Sequence, residues 1–420
     1  MSDKKNNFKE TLTVSMSNFL DAGAIVAGAS GLTLWMNFLH LDDMALGLLG
    51  AVSANGFGAA LGALIGGPLA DKYGRKFIYR YDLLVYMIGV ALIALSMNFP
   101  MLLVGYIITG IAVGAVVPAS WSYLGEQASA GKRCANIGWG QFSWGFAPMT
   151  IFILSIFLNR LGLLGNRIMF GMLFAVALIT WILQQQIQES KIWEEQKEKE
   201  KEEGYVKAPT SEIFTIKANR QAFILSAGIY TLWNLVAGLQ GYFLPYIFTK
   251  IGNLNNIQSN ALNAFIWFMT ILFTYLVFIK KGDEWNRKIV FSVGCIMEVV
   301  AWLVLVFAPV GWFSLIFFDL LWGISAGFSA QCFFALWSVE LFKTQYRGKA
   351  QGIIFFLVRA GVGVISLVFP TMLTALGFQK TGMFLVAVLI IQLIIGLIYT
   401  PETRGMSVYE IEEQRYGNDY

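Results

Sequence analysis

The chain has 420 residues, 57% hydrophobic and 13% charged, with a mean hydropathy of +0.62 and a net charge of +4. That balance excludes a water-soluble globular protein, and the small positive charge gives no reason to invoke nucleic acid. Cys134, Cys295 and Cys332 are odd in number and unpatterned, so neither a disulfide framework nor a metal site is indicated.

Apolar stretches of about 20 residues or more, enough to cross a hydrocarbon core of about 30 Å, alternate with short charged runs. In chain order they lie near 11–39, 46–70, 77–97, 100–124, 135–158, 165–185, 221–249, 258–279, 288–308, 311–341, 348–376 and 380–400. The first ten residues are polar and the first stretch is long and interrupted by Asp21, which does not read as a cleavable signal. Between the sixth and seventh stretches runs the one long polar connection, centred on residues 194–203, whose alternating Glu and Lys favour a solvated helix. The predicted domains are residues 1–185, a linker at 186–219, residues 220–400, and a tail at 401–420.

Basic residues resist translocation and stay in the cytoplasm. With the N-terminus inside, every Lys and Arg falls on the cytoplasmic side except Arg160, Arg167, Lys250 and Lys380 in outer loops and Arg359 within the eleventh stretch. Both termini are therefore expected in the cytoplasm, and the protein in the cell membrane.

The charged landmarks occur twice, 212 to 214 residues apart. Asp71 and Arg75 return as Asp283 and Arg287, Glu126 and Arg133 as Glu340 and Arg347, Glu189 as Glu402, and Asp21 as Asn234. Duplicated halves predict an all-α membrane protein of twelve transmembrane helices in two pseudo-symmetric six-helix bundles, with a substrate held between them.

Gly67-Pro68-Leu69-Ala70-Asp71-Lys72-Tyr73-Gly74-Arg75-Lys76 reads as a tight helix-to-helix turn in which Gly74 can take positive φ. It resembles the loop signature of the major facilitator superfamily. Together with Glu126 and Lys132-Arg133, Gln188-Glu189-Ser190, Glu340 with Arg347-Gly348, and Pro401-Glu402-Thr403-Arg404-Gly405, the chain resembles the sugar porter branch over its full length. The resemblance implies that Asp71, Arg75, Glu126, Arg133, Glu189, Asp283, Arg287, Glu340, Arg347 and Glu402 latch the inner gate while the cavity faces outward.

Ionisable residues inside spans cost roughly 2.5–3.5 kcal/mol each on insertion scales and are usually functional. Asp21, Glu298, Asp319 and Arg359 are of this kind. Phe19-Leu20-Asp21-Ala22-Gly23 is similar to the first-helix motif whose Asp couples to the proton in sugar porters. The family's partner Arg on the fourth helix is absent, Gly105-Tyr106 standing there instead, and Arg359 is the candidate to replace it from another helix. Gln141, eight residues after Arg133, matches the sugar-binding Gln of the fifth helix. Asn234 and Gln240 keep the amide character of the seventh-helix motif, while Gln331, Trp337 and Arg359 are the remaining substrate-binding candidates. The many other Trp and Phe residues are expected mostly to face lipid or pack the core.

The expected function is import of a sugar or polyol, inositol included, by proton symport through alternating access. A proton-coupled carrier of a sugar acid or other small organic anion, suggested by Arg359, and a non-transporting solute sensor remain alternatives. The expected partners are a small-molecule substrate, a proton and the lipid bilayer, with the monomer as functional unit. No cofactor is implied, and no nucleophile, ligand cluster or phosphate loop points to an enzyme.

Overall fold

The computed structural model describes residues 2–53, 56–126, 132–190, 193–195, 197, 198 and 209–417. Helices dominate because a bilayer offers backbone groups no water to bond with, so each crossing segment must satisfy its own. The first ten membrane-length apolar segments are Glu10–Leu39, the helix pair Asp43–Val52 and Phe57–Tyr73, Arg75–Ala94, Phe99–Gly125, Arg133–Leu161, Leu163–Gln184, Lys217–Thr249, Asn256–Ile279, Arg287–Phe307 and the helix pair Trp312–Ala326 and Ala330–Glu340. An eleventh, Gln345–Tyr399, has 55 residues. At 1.5 Å per residue it would run to about 80 Å, far more than a bilayer's thickness. Gly377, at φ 78° and ψ 164°, breaks it into two spans, with Thr381 Oγ1 donating back to the Gly377 carbonyl at 2.9 Å. Among the described residues twelve spans result, and the turn falls in the predicted gap between 376 and 380.

The packing repeats as the charges do. The first span packs on the fifth, the second on the fourth, the third on the fourth and sixth; the seventh packs on the eleventh, the eighth on the tenth, the ninth on the tenth and twelfth. The bundles meet through the second span against the eleventh and the fifth against the eighth, pairs that exchange when six is added or subtracted. This is the geometry of a duplicated unit facing its copy.

Small residues bring the helices together where lipid supplies no hydrophobic drive. A Cβ on Gly62 would stand 2.0 Å from the Ile111 carbonyl oxygen, and one on Gly66 2.4 Å from Ala115 Cα. Both contacts are with backbone, so neither neighbour has room to yield. We expect Gly62→Ala to cost about 1–3 kcal/mol through overpacking, visible as a lower melting temperature in detergent. Gly171→Ala, which would meet nothing within 4 Å, should leave it unchanged.

The turn between the second and third spans uses Gly74 at φ 94°. Its missing Cβ also makes room for Glu189, which caps the third span by accepting from the Arg75 and Lys76 amides at 2.9 and 3.0 Å. The expected linker helix around 194–203 lies largely outside the described residues. The described end of the connection, Glu212–Thr215, buries Ile213, and Tyr346 donates to Glu212. The tail helix Val408–Tyr416 docks there too: Arg415 donates to the Ala218 carbonyl at 2.7 Å and Tyr416 to Asn219. Burial pushes the Tyr416 phenol up to about 12.

Candidate functional site

The end of the bundle carrying Arg75, Arg133, Arg287 and Arg347, here the basic end, is sealed by polar contacts between the two halves. Glu340 is wholly buried and stands at the centre. Arg133 of the first bundle donates to it at 2.6 Å, and Arg287 of the second donates to it at 2.9 Å. Thr403 Oγ1 adds a bond at 2.7 Å and also accepts from Arg287 at 2.6 Å. Arg287 further reaches Asp283 at 3.3 Å, and Asp283 accepts from the Cys134 and Ala135 amides at 3.2 and 3.3 Å. A carboxylate of one bundle thus sits on the positive N-terminus of a helix of the other, where anions are favoured.

The repeat-related Asp71 lies over the start of the eleventh span, its Oδ1 where a Gly348 Cβ would fall, and 3.9 Å from Arg75. Arg75 donates to the Ala70 carbonyl at 3.4 Å and Arg347 to that of Phe342 at 3.3 Å. Glu189 caps the third span and so braces this turn. Glu402 departs from its repeat mate: it is exposed and among the described residues accepts locally, from the Arg404 amide at 3.1 Å, while its neighbour Thr403 enters the network. The side chain of Glu126 lies outside the described residues.

Midway between the ends, a cavity lies between the bundles. Gln141, Asn234, Gln240, Gln331 and Arg359 line it, so five of the proposed binding side chains, drawn from the fifth, seventh, tenth and eleventh spans, converge. Trp337 does not. It is buried against Phe333 and Phe291, ring centroids 4.7 and 5.5 Å away. Six residues beyond Gln331 a helix has advanced about 9 Å and turned about 240°, which carries Trp337 away from the cavity.

Four other tryptophans, Trp144, Trp233, Trp267 and Trp322, form the walls with Tyr230 and Thr270. These four stand apart from the Trp and Phe residues expected mostly to face lipid or pack the core. Trp144 and Trp267 meet edge to face across the bundle interface at 5.1 Å, and Trp233 lies nearly parallel to Trp322 at 6.4 Å. A signal was present, because Trp144 is three residues from Gln141 and Trp233 adjoins Asn234, spacings that share a helix face or border it.

Asp21 is buried immediately behind this wall. Its Oδ2 accepts from Trp144 Nε1 at 2.8 Å and from Arg359 Nη2 at 3.3 Å. Asp21 belongs to the first bundle and Arg359 to the second, so the replacement cation does reach the carboxylate, and the ion pair spans the interface. Arg359 also covers the face of Phe355 at 4.7 Å. Glu298 and Asp319 are buried away from the lining, as is Asp82 in the third span, a carboxylate that sequence reasoning passed over although it interrupts the apolar run 77–97.

Toward the other end a second polar cavity opens between Ser30, Thr33 and Asn166 on one side and Tyr246, Asn256 and Asn260 on the other. The interface is therefore bonded shut at the basic end and hollow beyond the centre.

Two repeated six-helix bundles around a mid-membrane polar cavity define a transporter of the alternating-access type. The chain belongs to the major facilitator superfamily, whose profile matches residues 12–338. It is 39% identical over 414 residues to the minor myo-inositol transporter IolF of Bacillus subtilis (strain 168), covering 98% of this chain and 94% of that one. It is 28% identical over 401 residues to the glucose transporter GlcP of Staphylococcus epidermidis (strain ATCC 12228 / FDA PCI 1200), covering 86% and 87%. In fold it resembles the proton:xylose symporter XylE bound to 6-bromo-6-deoxy-D-glucose, with a TM-score of 0.82 at 18% identity over 98% of this chain and 99% of that one.

Proposed function

We propose that the protein imports a neutral polyol or sugar of the myo-inositol kind together with a proton. The basic end lies in the cytoplasm, the membrane is that of the cell, and the monomer is the working unit. The observation that carries this reading is the Asp21–Arg359 pair at 3.3 Å across the bundle interface, beside a cavity lined by four amides. Amides both donate and accept, which suits hydroxyl groups, and the flat indoles suit the C–H faces of a six-membered ring. Protonation of Asp21 removes the charge that holds Arg359, so proton loading changes how firmly the two bundles are tied at mid-membrane. With the latch around Glu340 closed, solute and proton would enter from the outer cavity. Release inward would follow once that latch opens.

A carboxylated substrate is the second reading, because Arg359 lines the cavity. Its guanidinium is engaged by Asp21 here, which favours a neutral solute. Purified protein in proteoliposomes with an imposed inward proton gradient should accumulate radiolabelled myo-inositol. Uncoupler should abolish the accumulation. Competition by glucuronate but not by inositol or neutral hexoses would favour the acid, and binding without uptake would indicate a sensor.

A further inference from the structure

Glu298, in the ninth span, has no exposed surface and among the described residues makes no ion pair. The groups facing it come from four spans: Cys295 on its own, Ser329 and Cys332 on the tenth, Gln392 on the twelfth, and Trp233 on the seventh. Trp233 Nε1 donates to its Oε1 at 2.8 Å. A carboxyl so placed is expensive in a membrane interior, yet it does not touch the cavity.

What it does touch is the cavity wall. Trp233 presents its ring to the cavity, lying within 7° of parallel to Trp322 and within 14° of parallel to Tyr230. An indole has a single donor, so the atom that accepts Nε1–H fixes which way round the ring lies. Turning the ring over would leave a buried N–H unpaired, at a cost of about 1–3 kcal/mol. Glu298 therefore selects one orientation of an aromatic surface it supports from behind.

We propose that Glu298 is a positioning residue for the transported solute: it holds Trp233 so that its indole, packed nearly parallel to Trp322, receives the C–H face of a cyclic polyol. The inference rests on the polyol reading above and assigns the second bundle its share of recognition. The first bundle contributes Gln141 and Trp144.

The test uses myo-inositol uptake by reconstituted protein. Glu298→Leu, which removes the acceptor, should raise KM about tenfold with kcat little changed, the mark of lost uniform binding. Glu298→Gln keeps an oxygen for the indole and should stay near the native KM. Trp233→Phe should raise KM similarly, and adding Glu298→Leu to it should change little further, because the effect passes through the indole. An equal loss in both backgrounds, or a fall in kcat without a KM change, would overturn the proposal. A readout free of solute separates the two readings. In protein labelled with 5-fluorotryptophan, the fluorine resonance lost in Trp233→Phe should shift in Glu298→Leu and not in Glu298→Gln; an unmoved resonance also overturns the positioning role. Failure of the transport reading would show instead as wild-type protein that takes up no myo-inositol.

Discussion

Asp21→Asn is expected to abolish accumulation of myo-inositol against its gradient while leaving counterflow exchange within about threefold of the native rate, a change of under 1 kcal/mol. Asparagine keeps an oxygen for Trp144 Nε1, now 2.8 Å from Oδ2, so the wall of the cavity survives. It has no ionisable proton and no charge, so the tie to Arg359 at 3.3 Å no longer depends on protonation. Solute would then move only down its own gradient. The variant leaves Arg359 buried without its anion, and an orphaned buried charge is strongly destabilising, by about 3–5 kcal/mol. The Asp21→Asn, Arg359→Gln double variant guards against misfolding: it should recover the native melting temperature and still fail to accumulate solute. The measurement is the ratio of internal to external labelled inositol under a proton gradient. A ratio clearly above one in either variant would remove Asp21 from the coupling.

The second large effect is expected at Glu340. Both Arg133 and Arg287, from opposite bundles, reach it. Glu340→Gln keeps the volume and removes the charge, leaving two guanidiniums facing a neutral amide. Loss of one partner of a buried pair costs about 3–5 kcal/mol, and that cost falls only on the state in which the basic end is closed. A differential of even 3 kcal/mol shifts a two-state equilibrium by roughly 150-fold. The basic end should therefore stand open much of the time. Cys134 reports this directly. It is buried beneath Arg287, whose Nη2 is 3.7 Å from its sulfur. In a background with Cys295 and Cys332 replaced by Ala, N-ethylmaleimide should label Cys134 at least tenfold faster in Glu340→Gln, and net uptake should fall steeply. Equal labelling rates would mean that the network does not hold the closed state.

The Glu402 and Trp337 results show where linear reading stops. Glu402 stands at the offset of Glu189, yet Glu189 caps a helix across a tight turn while Glu402 points outward and Thr403 takes up the buried contact. An equal offset conserves a place in the chain and leaves open which of two adjacent side chains turns inward. Trp337 has suitable chemistry on the correct span, but the helical rotation from Gln331 directs it into the second bundle's own aromatic core.

What the chain's residues determine alone is the membrane architecture. A span must be long and apolar because the bilayer has a fixed thickness and no hydrogen-bonding solvent, so twelve crossings, their doubling and the clustering of basic residues at one end are legible by counting. For the same reason Asp21 and Arg359 stand out, since an ionisable side chain within a span is an anomaly whatever surrounds it. Tertiary structure alone decides that these two meet, although 338 positions separate them. It also decides that Trp144, Trp233, Trp267 and Trp322 turn toward one cavity. Those facts depend on the rotation of each helix about its axis and on which helices become neighbours. Both are set by small-residue contacts such as Gly62 on Ile111, through packing between distant segments that spacing along the chain does not encode.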